Sequence, residues 1–163
     1  MTVHSDQLGT FSRAADGTYA VEFVRQLQDP PERVWRALTD PAEARQWFTE
    51  MTMEPRLGGR IHLDFGDQGS AEGEILAWEP PHVLEHSWTE AGTTSHVRWE
   101  LSPEGNGTRL WLLHTGLSPD APHEYGAGWH DFLDRLPYYL AGNDIPPIWE
   151  QFESLLERYR ALA

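Results

Sequence analysis

Apolar and polar side chains alternate with a period of two through much of residues 60–115. Ile61, Leu63 and Phe65 frame His62 and Asp64; Leu84, His86 and Trp88 share one side of the next clear run; Val97, Trp99 and Leu101 alternate with His96, Arg98 and Glu100. This period predicts antiparallel strands with one face buried and one face in water. Gly58-Gly59, Gly66-Asp67, Pro80-Pro81, Gly92 and residues 103–107 punctuate the runs as turns, the last a tight hairpin into a strand over 108–115. An earlier strand, about residues 18–28, sets Tyr19, Val21 and Phe23 on one face.

Between that strand and the meander the period changes. Pro31 suits the first turn of a helix, where its missing N–H is not needed, and Asp29 is placed to cap the free amides of that turn. Val34, Trp35 and Leu38 form one apolar stripe before Thr39-Asp40-Pro41 stops this helix and starts a second, which ends at Trp47-Phe48. Two helices this short are not stable alone in water, so their stripes must dock on something larger. The longest helical signal follows the meander: Trp129, Phe132, Leu133, Leu136 and Leu140 fall at i, i+3, i+4, i+7 and i+11, with Gly142-Asn143 as an end. Pro137 inside it predicts a kink or a helix end near residues 133–137. A last helix is expected from residue 147 to about 159, with Trp149, Phe152, Leu156 and Tyr159 on its docking side.

The expected fold is α+β. One strand, a helix pair and five or six further strands make a curved antiparallel sheet of six to seven strands, closed by the long helix. With 163 residues the chain is expected to form one domain (1–163), its core about 17–142 and residues 143–163 a helical extension, with only the first dozen residues loosely tied.

Composition excludes several classes. There is no cysteine, so disulfide and thiolate chemistry do not arise. Twenty-six acidic against 12 basic residues give a formal charge of −14, which repels phosphate backbones and anionic lipid, so neither nucleic acid nor membrane is an expected partner. The first residues do not show a charged start followed by an apolar run, and no segment approaches about 18 apolar residues; a cytoplasmic protein is the expectation.

Eight tryptophans and eight histidines carry the candidate chemistry. Trp35, Trp47 and Trp129 sit at helical positions that face the sheet and read first as core. Trp88 and Trp99 stand on strand faces toward the long helix, where a ring serves equally as core or as a pocket wall. Trp111 and Leu113 fall on the opposite face from Leu110, Leu112 and His114, so either the terminal helix around Trp149 or a second subunit should cover them. His86 and His114 point inward, where an imidazole hydrogen-bonds a ligand, transfers a proton, or is a core histidine satisfied by its neighbours. His123 and His130 stand at i, i+7 on the long helix, within reach of Asp131 or Asp134. No His-Glu-x-x-His phrase, nucleophile triad order, phosphate loop or nucleotide fingerprint is present, and neither a metal nor a cofactor is expected.

Residues 31–38 with Thr39-Asp40-Pro41, Trp47-Phe48, Gly58-Gly59, Glu72-Gly73, Pro80-Pro81 through Leu84 and Trp88, Gly107-Thr108 to His114, and Gly128-Trp129 with Leu133 resemble in order and spacing the START-related helix-grip superfamily. Within it, the chain is similar to bacterial proteins like the C-terminal domain of the activator of the 90-kDa heat-shock-protein ATPase, over about residues 17–142. The resemblance implies a sheet gripping a long C-terminal helix, two small helices after the first strand, and a cavity between. Such proteins include lipid carriers, hormone receptors, polyketide cyclases and chaperone activators, and fold does not choose among them. The leading expectation is non-catalytic binding or transport of a small lipophilic or aromatic molecule in a cavity lined by Trp47, Phe65, His86, Trp88, Trp99, Leu112, His114, Trp129, Leu133 and Leu136. The alternatives are a chaperone-ATPase activator and a polyketide cyclase or aromatase using the cavity histidines. A homodimer is a further possibility.

Overall fold

The computed structural model describes residues 7–162. Eight strands form one antiparallel sheet: β1 (Thr10–Arg13), β2 (Tyr19–Leu27), β3 (Glu50–Met53), β4 (Arg60–Asp64), β5 (Ser70–Glu79), β6 (Val83–Glu90), β7 (Thr93–Glu104) and β8 (Gly107–Leu117). Their order across the sheet is β1-β2-β8-β7-β6-β5-β4-β3, so the meander β3 to β8 turns back onto β2. Helices α1 (Pro31–Thr39) and α2 (Pro41–Trp47) link β2 to β3, and α3 (Pro122–Leu140) and α4 (Phe152–Arg160) follow the sheet. This is the helix-grip arrangement, with eight strands where six to seven are expected from the sequence.

The strands that the alternation does not announce are short. β1 and β3 have four residues each, too few to show a period, and both lie at sheet edges. β1 takes in residues 10–13 that look loosely tied in the sequence; pairing from Thr10 with Glu22 to Arg13 with Tyr19 holds them. The hairpin over 103–107 forms as read: Glu104 pairs with Gly107 across a two-residue loop whose first residue, Gly105, has φ +59°.

The helix pair begins at Pro31 as the sequence predicts, but Asp29 does not cap it. The N-cap is Pro30 and no side chain caps the turn; the Asp29 carbonyl instead accepts a 2.7 Å bond from Thr108 Oγ1, tying the helix entry to the start of β8. Asp40 does cap α2, accepting from the Ala42 amide at 3.0 Å. Trp47 is fully buried, its Nε1–H donating to the Ala37 carbonyl at 2.9 Å, so one ring locks both short helices together.

Pro137 does not end α3, which runs on to Leu140. The proline lies in the last turn, where few further helical bonds depend on its missing donor. The stripe is buried as read at Trp129, Phe132, Leu133 and Leu136. The last helix starts later than expected, at Phe152, because Trp149 adopts φ +69°, outside helical geometry. α4 packs on α3 through Leu155, Leu156 and Tyr159. Among the described residues, no helix is long and apolar enough to cross a membrane.

Trp111 is covered neither by Trp149 nor by α4, which lie against α3. It stays half-exposed, its Nε1–H held at 2.6 Å by Glu22 of the neighbouring strand β2. On the same outer face Arg98 joins Glu85 (2.8 Å) across to β6 and Glu100 (2.6 Å) along its own strand.

Candidate functional site, an aromatic cleft between sheet and helix

The inward positions of β6 are set by its period of two: Leu84, His86, Trp88 and Glu90 pair with Trp99, Val97, Ser95 and Thr93 of β7. α3 lies over them, and the rings of Trp129, Trp88, Trp99, Phe48 and Phe132 pack with centroid separations from 4.8 to 6.1 Å. Most of the sheet–helix interface is therefore filled by its own side chains. Space lined by aromatic rings remains where β6 finishes and a single 3₁₀ turn (Gly66–Gln68) follows β4, and a second space, beside Arg25 and Asp134, lies between β2 and α3.

The aromatic-lined space is a cleft of about 230 Å³, partly open to solvent. Its walls are Phe65 and Gln68 from the turn, Trp88 and Glu90 from β6, Glu124, Tyr125, Gly128, Trp129 and Phe132 from α3, and Trp149 with Phe152 from the C-terminal segment. The rings form a continuous belt, with Phe65 5.7 Å from Trp88 and 6.0 Å from Phe132, Trp149 5.4 Å from Phe132, and Phe152 5.5 Å from Trp149. Gly128 leaves the helix side of the cleft open, because a Cβ there would meet nothing nearer than Trp149 at 4.0 Å.

Three of the ten residues singled out from sequence, Phe65, Trp88 and Trp129, line the cleft. Trp47, Trp99, Leu112, Leu133 and Leu136 are buried in the packed core beside and behind it. His86 and His114 are 3% and 0% exposed and lie behind Trp88, with ring centroids 6.3 and 5.2 Å from it.

The two histidines are neutral for the same reason. Burial pushes His86 down to about 4 and His114, also repelled by His86, down to about 3. Both nitrogens of His114 are engaged by the protein. Trp129 Nε1–H can only donate, so His114 Nδ1 accepts at 2.9 Å; Nε2 must then carry the proton and donates to Ser95 Oγ at 2.7 Å. Ser95 Oγ–H in turn donates to the Trp88 carbonyl at 3.3 Å. His86 Nδ1 donates to the Ser87 carbonyl at 2.9 Å. The arrangement fixes the positions of Trp88 and Trp129 and leaves His114 no valence for a ligand.

Gln68, Glu90 and Glu124 are the non-aromatic polar side chains of the cleft, and Glu90 is the one bonded to its rings. Its Oε1 accepts from Tyr125 Oη at 2.6 Å and Trp88 Nε1 at 3.1 Å. Burial and the neighbouring carboxylate push the Tyr125 phenol well above its ordinary range, so it stays a donor. Among the described residues no hydrogen-bond donor reaches Glu90 Oε2. Glu90 is not among the residues the sequence singles out, although it continues the inward period Leu84, His86, Trp88 by one step. Trp149 was read as helical; its cleft position depends on Asp131, whose Oδ2 accepts the Trp149 amide at 3.0 Å, while Gln151 Nε2 bridges Asp131 (3.3 Å) and Asp134 (3.0 Å). Among the described residues no group of three or more His, Asp or Glu is placed to hold a metal ion.

Solved structures share this architecture. CalU16 from Micromonospora echinospora is 31% identical, with a TM-score of 0.78 over 96% of this chain and 98% of that one. DynU16, described as a putative protein in the dynemicin biosynthetic locus, is 29% identical with a TM-score of 0.70, over 81% of this chain and 51% of that chain. A conserved protein of unknown function from Enterococcus faecalis, EF2215, shares the fold at 22% identity and a TM-score of 0.80, over 94% of this chain and 89% of its own. No curated protein matches. The profile of one family, described as Activator of Hsp90 ATPase homolog 1-like protein, matches residues 28–141, from the end of β2 to the end of α3, and the chain belongs to that family.

Proposed function

We propose that the protein binds a small lipophilic, aromatic molecule in the cleft between β6 and α3 without transforming it. The observation that carries this reading is an open cleft whose walls carry seven aromatic rings. Its volume of about 230 Å³ is below the range of roughly 300–1,000 Å³ usual for ligand sites, which suits a molecule of one or two rings. The occurrence of a relative such as DynU16 in a biosynthetic locus supports a small-molecule role. A histidine-driven cyclisation is disfavoured, because His114 has both nitrogens committed and both histidines lie behind Trp88.

Native mass spectrometry of the protein purified from its own host, before and after denaturation and solvent extraction, tests the reading. A reproducible small-molecule mass lost on denaturation supports it. A bare chain under all gentle conditions, together with stimulation of a chaperone ATPase by the same sample, would replace it with the activity that the family's description names.

A further inference from the structure

We infer that the cleft selects an organic cation, an aromatic molecule carrying a protonated amine, over neutral and acidic molecules of the same shape. The inference rests on the cleft being a small-molecule site. Its basis is the combination of an aromatic enclosure with one oriented carboxylate and no opposing positive charge.

Ring faces carry negative potential and attract a cation that sheds water between them. Here Trp88, Tyr125, Trp129 and Phe65 enclose the inner end of the space. Glu90 stands among them with its orientation set by two donors on a single oxygen, Tyr125 at 2.6 Å and Trp88 at 3.1 Å. Those bonds leave Oε2 as the acceptor that faces no protein donor among the described residues. An ammonium N–H would complete it with a charge-assisted bond, whereas a ligand carboxylate would face Glu90 in repulsion.

No arginine or histidine lines the cleft. All 12 basic residues of the chain are arginines, and Arg160, which reaches the lining residue Glu124, has its charge met there at 3.2 Å. Glu90 therefore has no built-in counter-ion. A net charge of −14 also draws cations toward the surface at low ionic strength.

Three indoles differing only in their side-chain terminus give the test: tryptamine, tryptophol and indole-3-acetate, titrated calorimetrically into the full chain near neutral pH. The expected result is that tryptamine binds about tenfold or more tighter than tryptophol, that indole-3-acetate binds weakest, and that added salt reduces the gap. Glu90→Gln should bring the ratio of tryptamine to tryptophol affinity close to one. Comparable binding of tryptophol and tryptamine by the unaltered protein, or preference for indole-3-acetate, overturns the cation selectivity but leaves the small-molecule reading standing. Failure of all three and of neutral aromatics such as naphthalene to bind overturns both. The comparison of ligands on the unaltered protein decides the question whether or not the Glu90 variant folds.

Discussion

Trp129 Nε1–H donates to His114 Nδ1 at 2.9 Å, and that bond decides the tautomer of a fully buried imidazole. A second proton on His114 would have to sit on Nδ1, pointing at an indole N–H. Sheet and helix are thus joined by a contact that tolerates only the neutral ring, consistent with a folded value of about 3.

Acid should therefore destabilise the fold well before carboxylates titrate. An unfolded histidine titrates near 6.5, while His86 and His114 titrate at about 4 and about 3 when folded, so the unfolded chain binds more protons between those values. Their contribution is full above about pH 6.5 and falls with decreasing pH, by roughly 1.4 kcal/mol per pH unit for each histidine. Burial holds the Asp131 carboxyl above its usual range, so its effect has the opposite sign: it favours the fold below the ordinary carboxylate value and is lost as pH rises through its own. Urea unfolding at a series of pH values from about 7 to about 5 should show a steady fall, and a level profile would contradict it. Trp129→Phe should cost roughly 1–3 kcal/mol by leaving Nδ1 without a donor, and should raise the His114 value seen by NMR.

Two glycines two positions apart on α3 should respond oppositely to alanine. A Cβ at Gly126 would come within 2.7 Å of Phe11 and 3.2 Å of Tyr159, both rings wedged against the helix, whereas at Gly128 it meets only open cleft and Trp149 at 4.0 Å. Gly126→Ala should destabilise by about 1–3 kcal/mol through overpacking. Gly128→Ala should stabilise by up to about 1 kcal/mol, because alanine is the better helix former. Thermal unfolding of the two variants measures both signs.

Asp131 should control the outer wall of the cleft. Asp131→Ala removes the acceptor for the Trp149 amide and one partner of Gln151, and should speed hydrogen exchange at Trp149 at a cost of about 1–3 kcal/mol. Asp131→Asn keeps a side-chain oxygen for that amide, so exchange should stay near the parent while the acid-side stabilisation from Asp131 disappears.

Much of this fold is legible in the sequence where local chemistry and tertiary burial agree. Pro31 and Pro41 start helices in either setting, Gly105 turns a hairpin wherever it stands, and the stripe from Trp129 to Leu136 recurs at three and four residues, a period no strand has. What escaped depends on partners distant in sequence. β1 has no periodic signal of its own and exists because β2 offers an edge and Phe11 rests on Tyr159, 5.7 Å away. Asp29 looks like a cap until Thr108, far along the chain, takes its carbonyl. The candidate site divides in the same way. Inward positions follow from strand period, but which inward rings meet one another and which meet space is set by the crossing of α3, and Trp149 reaches the cleft only through a left-handed backbone held by Asp131.

The central claim, that the aromatic cleft is the binding site, is tested most directly by the indole N–H resonances of the eight tryptophans in a titration with a small aromatic such as tryptophol. The account predicts shifts concentrated at Trp88, Trp129 and Trp149, which line the cleft, with Trp35, Trp47 and Trp111 unmoved, and loss of those shifts in Gly128→Leu, whose side chain would fill the cleft. Shifts centred on Trp111 or Trp35, or shifts that survive Gly128→Leu, would contradict it.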